Sequence, residues 1–93
     1  MSEPQSSLTA YVAVLAHSAD HTTRAEDRTT YTQRLAAAAR MYLAIHSGDL
    51  ALFKEIVATE EHAHGWGFLS GEEGSKCEAA FAALVKAVGP RAA

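Results

Sequence analysis

Cysteine, proline and long apolar runs are scarce in this sequence. Among 93 residues there is one cysteine, Cys77, and there are two prolines. A single cysteine excludes an intramolecular disulfide and is typical of a reducing compartment, so we expect a cytoplasmic protein. No apolar run approaches the ~20 residues that span a bilayer, and the segment Met1–Ser7 has neither the basic nor the apolar region of a signal peptide. We therefore expect no membrane role.

Basic residues are also outnumbered. Eight lysines and arginines stand against eleven acidic residues, which gives a net charge of −3 at pH 7. Nucleic-acid-binding proteins normally present a basic face, so this balance argues against direct contact with DNA or RNA. The arginines of the first half scatter around a helical wheel, which predicts a solvated surface. These arginines are Arg24, Arg28, Arg34 and Arg40.

The length and the missing motifs exclude most enzyme classes. A barrel or a doubly wound sheet needs roughly 150 to 250 residues, which is more than this chain offers. The sequence has no glycine-rich phosphate loop, no Gly-x-Ser-x-Gly and no paired Cys and His pattern of a zinc site. Twenty alanines, with few valines and isoleucines, favour closely packed helices. We predict an all-α, non-enzymatic protein.

Apolar residues recur at helical spacing in four segments joined by short turns, as is typical of antiparallel neighbours in a bundle. We predict a disordered tail over residues 1–6, a single helical domain over 7–90 and a C-terminal tail over 91–93. The expected architecture is a small antiparallel bundle of about four helices, which homodimerisation would complete. The predicted helices span about residues 7–19, 23–46, 49–64 and 70–88.

Capping residues mark several of the predicted helix ends. Thr23 and Glu26 have the spacing of a capping box, in which each side chain accepts a hydrogen bond from the other residue's backbone N–H. Gly48 suits the left-handed residue that ends a helix, and Asp49 is a good N-cap for the helix that follows. The segment Ser70–Glu73 repeats the capping-box spacing before the fourth helix.

The second predicted helix carries an apolar seam with steps of four and three residues, as in the heptads of paired helices. The run Ala36–Ala39 beside it would let a neighbouring helix approach closely. Because the helix is roughly 36 Å long, a monomer of this size can hardly cover it. We therefore predict a homodimer through this seam. The seam consists of Tyr31, Leu35, Ala38, Tyr42 and Ile45.

Two carboxylates and a histidine end the third predicted helix. On a helical wheel Glu60 and His64 continue the apolar stripe and face inward, while Glu61 lies on its flank. Inward charges are costly unless they are paired or ligated. Carboxylate and imidazole ligands at these spacings hold iron or manganese in ferritin-like bundles. Three interpretations stay open: a site for iron or another divalent metal, an acid–base pair, or a Glu60–His64 pair with no cofactor.

Rings alternate with small residues just beyond that cluster. In an extended segment, His62, His64, Trp66 and Phe68 would share one side. We assign His62, Trp66 and Phe68 to a ligand or partner surface on this basis. The alternative is that the intervening glycines break the helix and Trp66 and Phe68 fold back as a lid on the core.

Three further residues have structural interpretations. Cys77 lies on the apolar face of the fourth predicted helix and is expected to be a small buried hydrophobe. His17 and His21 lie four residues apart at the end of the first helix, which predicts a solvated pair rather than a pair of ligands.

The patterns together favour a helical protein–protein interaction or regulatory module that acts as a homo-oligomer without a cofactor. A regulatory role would act through a protein partner, because the charge balance opposes direct contact with nucleic acid. The alternative function is a metal-binding bundle that uses Glu60, Glu61 and His64. The sequence names neither the partner nor the ligand.

Overall fold

The computed structural model describes residues 3–63 and 71–88 of the chain, and these residues are helical apart from turns at 22–24 and 47–49. No strand occurs in this part of the chain. The prediction of an all-α fold with four helices is confirmed. The helices are α1 (Glu3–His21), α2 (Ala25–His46), α3 (Leu50–Ala63) and α4 (Gly71–Val88).

Helix α1 lies between two neighbours. It packs against α2 on one side and α4 on the other, and α2 packs in turn against α3. Helices α3 and α4 contact each other only slightly over the described residues, so the bundle closes weakly on that side. Three-residue turns reverse the chain between α1 and α2 and between α2 and α3, so each of these helices is antiparallel to the next. Helix α4 is antiparallel to α1, since Tyr11 meets Phe81 and Ser18 meets Cys77.

Helix α1 begins earlier than predicted. It starts at Glu3 rather than near Ser7, and residues 1 and 2 lie outside the described range. The disordered tail over residues 1–6 stays a prediction. Proline is favoured in the first turn of a helix because its missing N–H would have no partner there, and Pro4 occupies that turn. The hydroxyl of Thr9 donates to the carbonyl of Gln5 at 3.0 Å and lies 2.7 Å from the hydroxyl of Tyr42, which joins this end of α1 to α2.

The turn between α1 and α2 does not use the predicted capping box. The N-cap of α2 is Arg24, with no hydrogen bond from its side chain to the helix, so Thr23 stands one position too early to cap. The Nε of Arg24 lies 3.5 Å from the carboxylate of Glu26 instead. Arg28 donates from its guanidinium to the carbonyl of Thr22 at 2.9 Å. The hydroxyl oxygen of Thr22 accepts from the N–H of Arg24 at 3.3 Å, so a hydroxyl outside the predicted capping box and charged groups both contribute to this turn.

The turn between α2 and α3 matches its prediction. Gly48 has φ +76°, the N–H of Gly48 donates to the carbonyl of Ile45, and the N–H of Asp49 donates to that of Ala44. This pair of bonds is a Schellman motif, which satisfies carbonyls at the end of α2. The Asp49 carboxylate accepts from the N–H of Leu52 at 3.0 Å and caps α3. Three predicted features lie outside what the structure describes. They are the capping box over Ser70–Glu73, the helix end after Val88 and the C-terminal tail over 91–93.

The core takes side chains from all four helices. Tyr11 of α1 and Phe81 of α4 pack with their ring centroids 5.3 Å apart and tilted by 49°. On α4, the side chains of Cys77, Phe81 and Leu84 are buried. The largest fully buried side chains are those of Leu8, Tyr11, Leu15, Met41, Phe53 and Leu84.

The buried face of α2 is rotated relative to the predicted seam. Tyr31 and Ala38 of the seam are buried, whereas Leu35, Tyr42 and Ile45 are only partly buried against the core. The contact of Tyr42 with Thr9 shows that the seam faces α1 of the same chain. Helix α3 packs on the other flank, so the buried face is wider than one seam. The middle of the buried face of α2 is formed by Arg34, Ala37, Met41 and Ala44.

Candidate functional site

An apolar groove runs between α2 and α3 on the surface of the bundle. Its volume is about 370 Å³. Two large apolar side chains on its walls face solvent, with Leu43 70% exposed and Leu52 42% exposed. Leu50 is also exposed, but it does not line the groove. We call this feature the α2–α3 groove, lined by Arg40, Leu43, Ala44, Ser47, Leu52 and Ile56.

The groove continues into a more polar recess toward the far end of α3. This recess has a volume of about 200 Å³ and shares Arg40, Leu52 and Ile56 with the groove. A carboxylate and a guanidinium line this recess from its two helices, Glu55 from α3 and Arg40 from α2. The remaining lining residues are Thr59 and Glu60. The surface is therefore apolar at one end and carries both signs of charge at the other.

The Schellman turn places the two walls of the groove. Because Gly48 reverses the chain immediately after α2, the last turns of α2 lie beside the first turns of α3. Met41 and Ala44 point into the core, so Arg40 and Leu43 must point away from it. On α3 the same periodicity buries Phe53 and Val57 and leaves Leu52 outside. Leu43 and Leu52, which the core faces leave outside, therefore form the exposed part of the groove beside the buried Ala44.

A buried arginine lies on the opposite side of α2, inside the bundle. Arg34 is 3% exposed, which overturns the prediction that all four arginines of the first half are solvated. Burial lowers the pKa of Arg34, while the nearby Tyr11, Glu60, Cys77 and Tyr31 act in the opposite direction and favour its charged form. The long apolar stem of arginine can line a core while its head group meets polar neighbours. All four helices contribute a polar group to this cluster.

The other members of the cluster are also largely withdrawn from water. Tyr11 is fully buried, and this burial raises the pKa of its hydroxyl, with Arg34 as the largest opposing influence. The prediction that Cys77 is buried is confirmed. Its Sγ lies 3.4 Å from the hydroxyl oxygen of Ser18, so the thiol has a polar neighbour within the core. Glu60 is half-buried and is the acidic member of the cluster.

The residues predicted to hold a metal are only partly covered by the structure. Glu60 lies between the recess and the Arg34 cluster, Glu61 is exposed, and His64 lies outside the described residues. Among the residues that are described, no group of three or more His, Cys, Asp or Glu side chains is arranged to hold a metal ion. Arg34 already supplies positive charge near Glu60. The metal site therefore stays a prediction.

The predicted ring surface is covered even less. His62 is exposed at the end of α3, whereas Trp66 and Phe68 lie outside the described residues. The choice between a ring surface and a lid is therefore open. Neither the α2–α3 groove nor the burial of Arg34 is predicted from the apolar pattern of the sequence. Leu43 and Leu52 carried a signal for the groove, since neither belongs to the apolar face of its helix.

Comparisons with known proteins give no family for this chain. No family model, no curated protein and no solved structure matches it. Within the described residues, none of the helices combines the length and the apolar character that crossing a membrane requires. The groove and the buried cluster are therefore the features from which a function can be argued.

Proposed function

We propose that the protein is a non-enzymatic helical interaction module that self-associates through the α2–α3 groove. The observation that carries this proposal is the exposure of Leu43 and Leu52 on the walls of one apolar groove. Exposed large apolar side chains that share a concave surface mark interaction sites more often than isolated ones do. Association would bury both leucines, and each contributes on the order of 1 kcal/mol because each is already partly covered.

The charges beside the groove favour a second copy of the chain as the partner. In a two-fold dimer whose axis runs parallel to the groove, α2 of one copy faces α3 of the other. Arg40 and Glu55 line the same recess from these two helices. The two-fold operation therefore brings Arg40 of each copy over Glu55 of its partner. The surface is complementary to itself in both apolar character and charge.

This proposal moves the predicted dimer interface from one side of α2 to the other. Tyr31 and Ala38 of the predicted seam are buried within the chain, so a second copy has no access to them. The reasoning behind the seam still applies, since α2 is 22 residues long and one face remains uncovered. That face carries Arg40 and Leu43.

Sedimentation of the untagged chain between about 1 and 100 μM tests the proposal, since interfaces of modest size dissociate in the micromolar range. We expect a species of twice the 9.9 kDa chain mass. Leu43→Glu or Leu52→Glu should weaken association at least tenfold, which corresponds to about 1.4 kcal/mol. Ala83→Glu is the matched control, because Ala83 is exposed on α4, away from the groove. A wild-type chain that sediments only at the chain mass would overturn self-association.

A charge exchange tests the two-fold arrangement itself. Arg40→Glu and Glu55→Arg each place like charges opposite one another in the proposed dimer, so each should weaken association several-fold. The double variant Arg40→Glu/Glu55→Arg restores opposite charges and should recover most of the loss. If the leucine variants dissociate the dimer but the double charge variant does not recover, the groove is the interface and this two-fold arrangement is wrong.

A further inference from the structure

Two histidines lie side by side at the C-terminal end of α1. His17 and His21 are both exposed, and their rings stack with centroids 4.1 Å apart and planes inclined by 26°. Residues four apart are neighbours on one helix face, so the backbone holds the rings close together without help from other elements. The pair is remote in sequence from Glu60 and Glu61 and belongs to a different helix.

A hydrogen bond selects which nitrogen of His21 can bind a ligand. The Nδ1 of His21 lies 2.9 Å from the carbonyl oxygen of His17. A carbonyl oxygen only accepts, so Nδ1 must carry the proton. In the neutral ring the lone pair then lies on Nε2, the atom that points away from the backbone. A ring N–H that donates to a backbone carbonyl is also the usual outer contact of a metal-bound histidine, because it fixes the tautomer and the ring orientation.

We propose that His17 and His21 form a two-histidine chelating site for a late first-row divalent cation, with water completing the coordination. Imidazole nitrogen is a good ligand for Cu²⁺, Ni²⁺ and Zn²⁺, and of these three ions Cu²⁺ is bound most tightly. Stacked rings do not share one coordination point, so binding requires the His17 ring to rotate about its side-chain bonds while the hydrogen bond to the carbonyl of His17 holds the His21 ring. Both side chains are exposed, which leaves room for that rotation.

The charges around the pair act in both directions. The negative end of the α1 dipole lies at His21 and favours a cation there, and Asp20 of the same helix adds a nearby carboxylate. The guanidinium of Arg28 in α2 reaches the carbonyl of Thr22, and Arg24 is held near Glu26. These arginines oppose a cation. The inference therefore depends on direct ligation by the two rings rather than on a general attraction for positive charge.

Calorimetric titration of the untagged chain with Cu²⁺, Ni²⁺ or Zn²⁺ alone tests the site at pH 7.5. We expect one ion per chain, with Cu²⁺ bound most tightly. His17→Ala and His21→Ala should each weaken uptake roughly tenfold or more, because one imidazole ligand remains. His46→Ala is the matched control, since His46 is an exposed histidine at the end of another helix.

A second measurement separates this site from the one predicted at Glu60, Glu61 and His64. In the wild-type chain, Zn²⁺ should shift the imidazole NMR signals of His17 and His21, while helix content measured by circular dichroism stays unchanged in every variant. Uptake that persists in His17→Ala/His21→Ala, or that disappears instead in His64→Ala, would overturn the inference. A wild-type chain that takes up none of the three ions would overturn it as well.

Discussion

The buried Arg34 gives the sharpest test of how the core is held together. Its guanidinium is buried, and among the described residues the half-buried Glu60 is the carboxylate that favours its charged form. Removing one member of a buried charge pair leaves the other uncompensated. Arg34 is buried and cannot regain water when Glu60 is removed, whereas the half-buried Glu60 can be hydrated when an apolar side chain of similar shape replaces Arg34. The two members should therefore respond differently to substitution. Glu60→Gln should destabilise the protein, and Arg34→Met should change its stability little or increase it.

The expected sizes follow from the burial of each group. Removing one partner from a fully buried pair costs about 3–5 kcal/mol. Glu60 is half-buried and water screens part of its field, so we expect roughly 1–3 kcal/mol for Glu60→Gln. We expect Arg34→Met to lie within about 1 kcal/mol of wild type, because methionine fills the space of the arginine stem. In the background of Arg34→Met, the cost of Glu60→Gln should largely disappear.

Urea unfolding followed by circular dichroism measures these differences at one fixed protein concentration, because self-association would make stability depend on concentration. With a slope of about 1–2 kcal/mol per molar urea, a loss of 2 kcal/mol lowers the midpoint by roughly 1–2 M. Equal losses for Glu60→Gln in the wild-type and Arg34→Met backgrounds would refute the reasoning. A large loss for Arg34→Met would refute it too, since the guanidinium would then stabilise the core on balance.

Three further tests address single side chains and turns. Because burial raises the pKa of Tyr11, its hydroxyl keeps its proton in the folded state, while in the unfolded chain it ionises near pH 10. The free energy of unfolding should therefore fall as the pH rises above 10, and it should fall less in Tyr11→Phe. Urea midpoints measured from pH 9 to 11 test this. Gly48→Ala should cost about 1 kcal/mol from strain at φ +76° alone, since no atom lies within 4 Å of the added Cβ; thermal unfolding measures it. Asp49→Ala should cost about 1 kcal/mol and Thr23→Ala less than about 0.5 kcal/mol in the same assay, because only Asp49 caps a helix.

The order and approximate bounds of the helices could be predicted because each depends on local chemistry. The turn at Gly48 is an example: a glycine in the left-handed region and an aspartate directly after it determine one helix end and the next helix start. The start of α2 shows the limit of this reasoning. Thr23 has the right spacing from Glu26 but lies one residue outside the cap, because α2 begins at Ala25 and Arg24 is its N-cap residue.

The buried face of α2 could not be predicted from the apolar pattern because small residues make the helix ambiguous. Ala37 and Ala44 are as suitable for a core as for a surface, so the larger seam residues dominate the pattern. In the structure the alanines allow α1 and α3 to pack on adjacent flanks, and Arg34 lies between them. A single sequence gives no sign that one arginine among four is buried, because the polar groups near it come from other helices.

The weak closure between α3 and α4 connects the fold with the proposed self-association. Helix α3 is supported mainly by α2, whereas α1 has a neighbour on each side, so α3 is the helix that gains most from an added contact. The α2–α3 groove runs along α3, and Glu60 lines its recess. A second copy seated there would cover Leu52 and withdraw Glu60 further from water. Because charges attract more strongly in a less polar environment, the same contact would strengthen the attraction between Glu60 and Arg34. Self-association and the stability of α3 are therefore expected to rise together.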